Sequence, residues 1–382
     1  MEEGAAIVAS AQTRYASDIG MPRERMLFET VKGFYDSLGI TRHDIGTFIF
    51  ASNDFQDGRT ISNVFADSPV GAYMKDETKV EADGSFAYLY GVMRILSGHY
   101  DTALIIAYGL GGSQFRPYLV MDYTMDPSFT RQVGIMNELV AAALQARAYM
   151  MKYGLTEEEL AAVAAKGLRN AAANPVQLRG QANATASDVL KSRPLYSPLH
   201  EFHCYPPTDG CCVMLLASAK RARELTRKPI WVAGIGHDLD TYYLGEKDLA
   251  VSKSAQRAAA AAYKMAGLSD PAAEIGVAEI SAPFAQQELI LQEALGLFPE
   301  GSGSQVMGGG LSEIAGKLPV NPSGGALGAH AFCASGLQRI ADAANQLRGE
   351  AGACQVKESK LAVAHGQDGF CAQQNMVTVL SS

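Results

Sequence analysis

The sequence lacks any long uninterrupted hydrophobic run. Nowhere in its 382 residues does an apolar stretch approach the roughly 18 to 20 residues that a helix needs to cross a bilayer. The first residues, Met1 to Val8, contain neither a basic segment nor a long apolar one, so no secretory signal is expected. These absences predict a protein that does not span a membrane.

Cysteine is scarce for a chain of this length. The six cysteines include no CxxC pair and do not resemble a disulfide framework. His203, Cys204, Cys211 and Cys212 lie close together in the sequence, but their spacing fits no zinc template. We expect these side chains, like His237, to pack or hydrogen-bond. The sequence therefore predicts no metal site, and a reducing, cytoplasmic setting is the simplest interpretation.

Positive charge is also in deficit. The chain has 32 Lys and Arg against 40 Asp and Glu, a formal net charge of −8. No global positive field would gather phosphates, so a nucleic-acid partner is not expected. Hydrophobic residues make up 48% of the chain and charged residues 19%, which excludes a disordered protein.

Short β-rich runs alternate with longer Ala-rich helical runs, a pattern typical of a layered α/β fold. The predicted strands are 5–9, 47–51, 102–107, 275–280, 361–364 and 376–380. The predicted helices are 25–38, 86–96, 251–267, 286–295 and 337–347. The helix after Glu81–Gly84 and the helix after Cys333–Gly336 are each followed by a strand. This repetition indicates an internal duplication.

Several motifs resemble the thiolases. Asn321-Pro-Ser-Gly-Gly325 precedes Ala326-Leu-Gly-Ala-His330 and the Cys333-Ala-Ser-Gly336 turn. Tyr153–Thr156 and Cys204–Gly210 are similar to the subgroup related to sterol carrier protein. The resemblance implies a duplicated, five-layered α-β-α-β-α fold. Its first half would span 1–245, with an inserted loop region at about 110–200, and its second half 246–382.

The resemblance also implies function. Thiolases act on acyl-CoA and CoA as homodimers, with no further cofactor in the chain. Their chemistry needs a thiolate at a helix N-terminus, a second acid–base group and an oxyanion hole. The expected activity is cleavage or formation of an acyl-CoA C–C bond.

The catalytic positions depart from the family pattern. No Cys occurs before Cys204, and the nucleophile position holds Glu81 unless a small gap moves it to Gly84. The family's Gly-His-Pro motif keeps its histidine as His330, and the last catalytic position is His365. Cys333 lies in the turn that mirrors the lost nucleophile.

Three interpretations follow from these departures. In the first, Cys333 is a relocated nucleophile for thiolysis, with His330 and His365 nearby. In the second, Glu81, His330 and His365 serve as acid–base groups for a retro-aldol or retro-Claisen cleavage, as in the thiolase-like aldolases. In the third, the chain is a catalytically inactive scaffold that binds acyl-CoA.

The resemblance also places residues at the substrate. Asn321 and the turn Ser323, Gly324 and Gly325 would shape the oxyanion region, since a Gly-rich turn can present backbone N–H groups at close range. The family's His-Asp-Cys-Phe loop becomes Ser281-Ala-Pro-Phe284. Ser281, Phe284 and Gly369 are therefore predicted to contact substrate, and Arg116 and Arg179 to meet the CoA phosphates.

The altered catalytic loops bear on partners and substrate. Some thiolase-like proteins that lack parts of the standard site work with a small zinc-ribbon and OB-fold subunit, which makes such a partner an expectation here. A specific hypothesis from the general resemblance is cleavage of 2-benzoylsuccinyl-CoA to benzoyl-CoA and succinyl-CoA. No residue in the sequence indicates an aromatic acyl group.

Overall fold

The computed structural model describes residues 4–382, except for residues 121, 122, 124, 126, 130, 131, 133, 135, 136 and 358 and the side chains of 118 and 119. Its strands are β1 (Ala5–Gln12), β2 (Thr47–Ala51), β3 (Asp76–Val80), β4 (Thr102–Leu110), β5 (Asp209–Ser218), β6 (Ile230–Leu239), β7 (Val277–Ile280), β8 (Leu361–Asp368) and β9 (Gln374–Ser381).

The α-helices are α1 (Arg23–Leu38), α2 (Asp54–Asp57), α3 (Val64–Val70), α4 (Gly84–Leu96), α5 (Pro117–Val120), α6 (Glu138–Tyr153), α7 (Glu157–Ala172), α8 (Ala186–Lys191), α9 (Ala219–Leu225), α10 (Lys253–Ala266), α11 (Pro271–Glu274), α12 (Ala285–Ala294), α13 (Gly303–Gly308), α14 (Gly325–Gly328) and α15 (Ser335–Arg348). Short 3-10 helices include Arg42–Asp44, Glu201–His203, Leu244–Glu246, Phe332–Ala334 and Gly352–Cys354.

The strands follow the order β3-β2-β4-β5-β1-β6-β9-β8-β7. Strands β2, β3 and β4 run parallel, as do β7 and β8, and the other neighbours are antiparallel. β1 meets β6 over two residue pairs only, Ala6 with Trp231 and Ile7 with Ile230. This narrow junction divides the strands into a five-stranded half and a four-stranded half.

Helices α4 and α15 form the middle layer between these halves. Both contact strands of each half, and they contact each other. Helices α1 and α9 cover the outer face of β1 and β5, while α10 covers β6 and β9. The order helix, sheet, helix, sheet, helix confirms the predicted five-layered fold.

The middle layer is apolar because it is enclosed on both faces. Val92 of α4 and Leu337 of α15 belong to one buried cluster with Ile105 and Met214 of the first half and Leu380 of the second. Strand β4 is buried along its whole length, as expected for a strand covered on both faces. The two central helices are therefore held rigidly, and their N-termini have fixed positions.

The predicted elements are present with shifted ends. The strand at 47–51 is found as predicted, whereas β1 extends to Gln12 and β4 to Leu110. Strands β3, β5 and β6 were not among the predicted elements. The region of about 110–200, expected to be mainly loop, contains the two 16-residue helices α6 and α7, although part of it lies outside the described residues.

Candidate active site

The N-termini of α4 and α15 meet beside a cavity of about 440 Å³. Carboxyl groups, amides and one imidazole line much of it. Its polar and sulfur-bearing lining residues are Asn53, Gln56, Glu81, Asp83, Met125, Glu138, Tyr242, Gln287, His330, Cys333, Gln367, Asp368, Gln373 and Gln374. Both halves of the chain contribute, which is why no local sequence window contains the site.

Asp83 joins the two central helices. It is the N-cap of α4, and its Oδ1 accepts from the Ser85 N–H at 2.9 Å and the Ser85 hydroxyl at 2.5 Å. Its Oδ2 accepts from the Gly336 N–H at the start of α15, at 2.8 Å. Its own N–H donates to Asp368 at 3.0 Å. Burial raises the pKa of Asp83 to about 7, although the hydrogen bonds from Ser85 and Gly336 oppose the rise.

The start of helix α4 has no room for a side chain at Gly84. Helix α4 begins at Gly84, directly after the turn that contains Glu81 and Asp83. A Cβ atom on Gly84 would lie 2.7 Å from the Cys333 carbonyl oxygen, 2.8 Å from the Ala107 side chain and 2.9 Å from that of Leu337. No side chain fits there without displacing the neighbouring elements.

Glu81 stands at the mouth of the cavity. Its Oε1 accepts from the Asp54 N–H at 2.8 Å, and its Oε2 lies 3.4 Å from the Lys79 ammonium. With 42% of its side chain exposed, it is a solvated, paired carboxylate. It lines the cavity, and its bonds are those of a surface loop.

His330 is the imidazole of the cavity wall. Its Nδ1 is bonded to the Ser335 hydroxyl at 2.9 Å, so Nε2 is the ring nitrogen left for a substrate. Its ring packs on Tyr205, with centroids 4.5 Å apart, and on Phe332 at 5.0 Å. Burial lowers the pKa of His330 to about 3, so the ring is neutral at physiological pH.

Cys333 lies in the 3-10 turn that leads into α15, among acidic groups. Its sulfur contacts the Gln56 side-chain oxygen at 3.6 Å. Burial raises the pKa of the Cys333 thiol well above its usual value, and the nearby charges of Asp368 and Asp83 raise it further. Within the described part of the chain, neither His330 nor His365 bonds to this sulfur. This setting opposes a thiolate.

His365 does not reach the cavity wall. It is fully buried in β8, and its Nε2 is bonded to the Asn375 side-chain oxygen at 2.8 Å. Burial lowers the pKa of His365 to about 4. It is absent from the cavity lining, and its Nδ1 has no hydrogen-bond partner among the described residues.

The Asn321–Gly325 turn is buried away from the cavity. Asn321 accepts from the Ile280 N–H at 2.6 Å and donates to Glu288 at 2.8 Å. Ser323 donates its N–H and hydroxyl to Glu279, at 3.1 and 2.7 Å. Cβ atoms on Gly324 and Gly325 would meet Ala171 at 2.5 Å and Asn321 at 3.0 Å. The turn packs and braces the fold, and none of its residues lines the described cavity.

The other predicted contacts differ in their roles. Ser281 is buried, and its hydroxyl lies 3.4 Å from that of Ser335, so it supports His330 through Ser335. Phe284 is buried against the Tyr205 ring at a centroid distance of 5.6 Å. Gly369 lines the cavity, and its N–H donates to Asp368 at 2.7 Å.

The arginines predicted to meet phosphates do not converge on one site. The Arg179 guanidinium donates to the backbone oxygens of Leu327, Glu201 and Cys204. Arg116 is exposed and directly precedes α5. Arg179 thus holds loops together in this structure.

Three carboxyl groups and one phenol group at or beside the cavity were not among the predicted site residues. Asp83 was passed over within the Glu81–Gly84 turn, and Asp368 within the stretch that follows His365. Glu138 and Tyr205 form a buried pair, with the phenol donating to the carboxyl at 2.8 Å. Burial raises the pKa of Glu138 to about 7. The sequence feature that marks Glu138 is its position directly after Asn137, a residue type that commonly caps a helix N-terminus.

The described residues were compared with the requirements of a metal centre and of a membrane-spanning helix. No group of three or more His, Cys, Asp or Glu side chains in the described ranges is placed to bind a metal ion. All six cysteines are free and buried. Across the described residues, no helix combines the length and hydrophobicity needed to span a membrane.

Comparison with known proteins identifies the family. Residues 236–382 match the family described as "Thiolase C-terminal domain-like". The acetyl-CoA acetyltransferase of Methanocaldococcus jannaschii is 30% identical over 76% of this chain and 74% of its own length. Rabbit (Oryctolagus cuniculus) sterol carrier protein 2 is 32% identical over 57% of this chain, which spans only 40% of that protein.

Two further relatives and one solved structure are named as a thiolase subunit or as aldolases. Benzoylsuccinyl-CoA thiolase subunit BbsB of Thauera aromatica is 30% identical over 61% of this chain and 60% of its own length. The steroid side-chain-cleaving aldolase of Thermomonospora curvata is 33% identical over 54% of this chain and 53% of its own. The solved structure titled "Ltp2-ChsH2(DUF35) aldolase" superposes with a TM-score of 0.85 at 22% identity, covering 99% of this chain and 98% of that one, which shows a shared fold. The chain belongs to the thiolase family, in the branch that includes sterol carrier protein 2.

Proposed function

We propose that the protein cleaves the C2–C3 bond of a 3-hydroxyacyl-CoA by a retro-aldol reaction, without a covalent acyl-enzyme. One observation carries this proposal. The turn that leads into α4, where the resemblance places the family's thiolate, holds Glu81 and contains no cysteine. The cavity instead offers a neutral imidazole and several carboxyl groups, which are proton-transfer groups rather than nucleophiles.

His330 is the proposed base. Its Nε2 takes the proton of the 3-hydroxyl group, and the O–H electron pair forms a carbonyl at C3. The C2–C3 bond breaks, and its electrons form the thioester enolate, which then takes a proton at C2. The products are an aldehyde or ketone and a shortened acyl-CoA. The Ser335 hydroxyl on Nδ1 fixes the ring so that Nε2 serves this role.

The similarity to the steroid side-chain-cleaving aldolase supports this reaction type. The solved aldolase structure is named for two components, Ltp2 and ChsH2, and BbsB is named as a subunit. We therefore propose that a second chain, a small zinc-ribbon and OB-fold subunit that binds acyl-CoA, completes the enzyme. The homodimer, the CoA-phosphate contacts and the cytoplasmic setting stay predictions.

Thiolysis through Cys333 is the second candidate, because this residue lines the cavity. In that case CoA would act as cosubstrate, and 2-benzoylsuccinyl-CoA is the substrate to test first, given the similarity to BbsB. The raised pKa of the thiol and the surrounding carboxyl groups make this the weaker candidate.

The test compares two reactions in the full chain, alone and together with its partner subunit. Release of an aldehyde or ketone from 3-hydroxyacyl-CoA is measured beside CoA-dependent cleavage of 3-oxoacyl-CoA. We expect the first activity only, with a loss of about 100-fold or more in His330→Ala and little change in Cys333→Ala.

The opposite outcome, thiolysis that disappears in Cys333→Ala, would favour the relocated nucleophile. If the wild-type protein cleaves neither class of substrate but binds acyl-CoA, the inactive scaffold is the correct interpretation.

A further inference from the structure

Retro-aldol cleavage requires a second proton transfer, at C2 of the thioester enolate. We propose that Glu138, held in place by the Tyr205 hydroxyl, is the catalytic acid–base that exchanges this proton. The inference rests on the proposed function, since it assigns the partner of His330 in the same cavity. It also makes a prediction that does not require the C–C bond to break.

The position of Glu138 suits this role. It is the first residue of α6, a 16-residue helix whose N-cap Asn137 accepts from the Val140 N–H at 3.1 Å. Glu138 is 9% exposed and lines the cavity. Its Oε2 accepts from Tyr205 at 2.8 Å, and among the described groups no other hydrogen bond reaches this carboxyl. Oε1 is therefore the oxygen available to a substrate.

Tyr205 links Glu138 to His330. The phenol hydroxyl bonds to the carboxyl, while the centroid of the same ring lies 4.5 Å from the imidazole centroid, with the two rings tilted. Phe284 and Phe332 contact the other sides of the Tyr205 ring, each with a centroid distance of 5.6 Å. Tyr205 therefore has little freedom, and it holds the carboxyl and the imidazole at neighbouring points of one cavity. The two atoms that exchange protons, O3 and C2 of the substrate, are only two bonds apart.

The surroundings of Glu138 set its proton affinity. The titratable groups that face it are Tyr205, Asp368, Cys204 and Cys371. Burial raises the pKa of Glu138 to about 7, the Tyr205 hydrogen bond opposes the rise, and the Asp368 charge adds to it. Near neutral pH both forms are populated, so the carboxyl can give a proton to an enolate and take one back.

The proton balance is complete without a further reactant. The 3-hydroxyl proton passes to His330, and the Glu138 proton passes to C2 as the enolate collapses to the acyl-CoA. The resulting imidazolium and carboxylate return to their starting forms by exchange with water. In the reverse half-reaction, the Glu138 carboxylate removes a C2 proton from the product acyl-CoA.

This half-reaction provides the test. The full chain, with its partner subunit, is incubated with propionyl-CoA or acetyl-CoA in D₂O, and the loss of the C2 proton signal is followed by NMR. We expect exchange by the wild-type protein and a loss of about 100-fold or more in Glu138→Gln, which keeps the shape of the side chain. Glu138→Asp is expected to restore part of the rate, because it retains a carboxyl group.

Glu293→Gln is the matched control. Glu293 is also a buried carboxyl that accepts from a tyrosine, Tyr149, at 2.5 Å, but it does not line the cavity. This variant should exchange at the wild-type rate. Tyr205→Phe removes the hydrogen bond that lowers the pKa of Glu138, so the rise of exchange rate with pH should move to higher pH. A purely structural role for the pair would not move this profile.

The outcomes separate the two proposals. Wild-type exchange in a folded Glu138→Gln variant, or a wild-type protein that exchanges no C2 proton, would overturn the role of Glu138. If Glu138→Gln does not fold, a Tyr205→Phe profile unchanged in pH would overturn it equally. Exchange that depends on Glu138 in a protein that cleaves no 3-hydroxyacyl-CoA would support the role of Glu138 and refute the retro-aldol reaction.

Discussion

Two opposing effects act on the pKa of the Asp83 carboxyl, and the Asp83→Asn variant tests which of them dominates. Burial of the carboxyl favours its protonated form, whereas hydrogen bonds from Ser85 and Gly336 at two helix N-termini favour the ionised form. The balance raises its pKa from 3.8 to about 7. The asparagine variant removes the titration while keeping one acceptor oxygen.

The sign follows from the raised pKa. Between pH 3.8 and about 7 the folded protein binds a proton that the unfolded chain has lost, so the contribution of Asp83 to stability falls as pH rises through this window. Each pH unit in the window changes the free energy of unfolding by about 1.4 kcal/mol, so the contribution of Asp83 decreases by about 3 kcal/mol between pH 5 and pH 8. The variant should lack this decrease.

Urea denaturation of both proteins at pH 5 and pH 8 provides the assay. The stability advantage of the wild type over Asp83→Asn should shrink by about 3 kcal/mol at the higher pH. Asp36→Asn, at an exposed carboxyl of α1, should change the free energy of unfolding by less than about 0.5 kcal/mol at either pH. An advantage that grows between pH 5 and pH 8 would refute the reasoning, because it would show that the hydrogen bonds outweigh burial.

Two further substitutions test the packing around the site. Gly84→Cys, which introduces a cysteine at the start of α4, should destabilise the protein by about 1–3 kcal/mol through overpacking and should not create thiolase activity. Gly33→Cys, where no atom lies within 4 Å of the added Cβ, is the control, and equal thermal stability of the two variants would contradict the assignment of a closed position. Lys166→Met should cost about 3–5 kcal/mol in urea denaturation, because Lys166 pairs with Glu288 at 2.6 Å with both side chains buried. Lys152→Met, at the exposed pair with Asp248, should cost less than about 1 kcal/mol, and a similarly small loss for Lys166→Met would show that Glu288 is not left as an unpaired charge.

The sequence by itself determined the layered α/β fold, because hydrophobic periodicity and the spacing of turn residues are local properties. It also identified the missing cysteine, since no alignment of this chain can place a cysteine before Cys204. The motif around His330 drew attention to a residue that lines the cavity. These features depend on neighbouring residues in the chain and are therefore visible without coordinates.

Only the tertiary structure decided how the site is assembled. The sequence placed His365 and Asn321 at the substrate, but neither lines the cavity, and the His365 Nε2 and the Asn321 amide bond to buried partners in the second half of the fold. Conversely, Asp83 and Gly336 lie 253 positions apart in the chain, yet they share a hydrogen bond because two helix N-termini converge. The proton affinities of Glu138 and His330 likewise arise from burial, which depends on elements packed from distant parts of the chain.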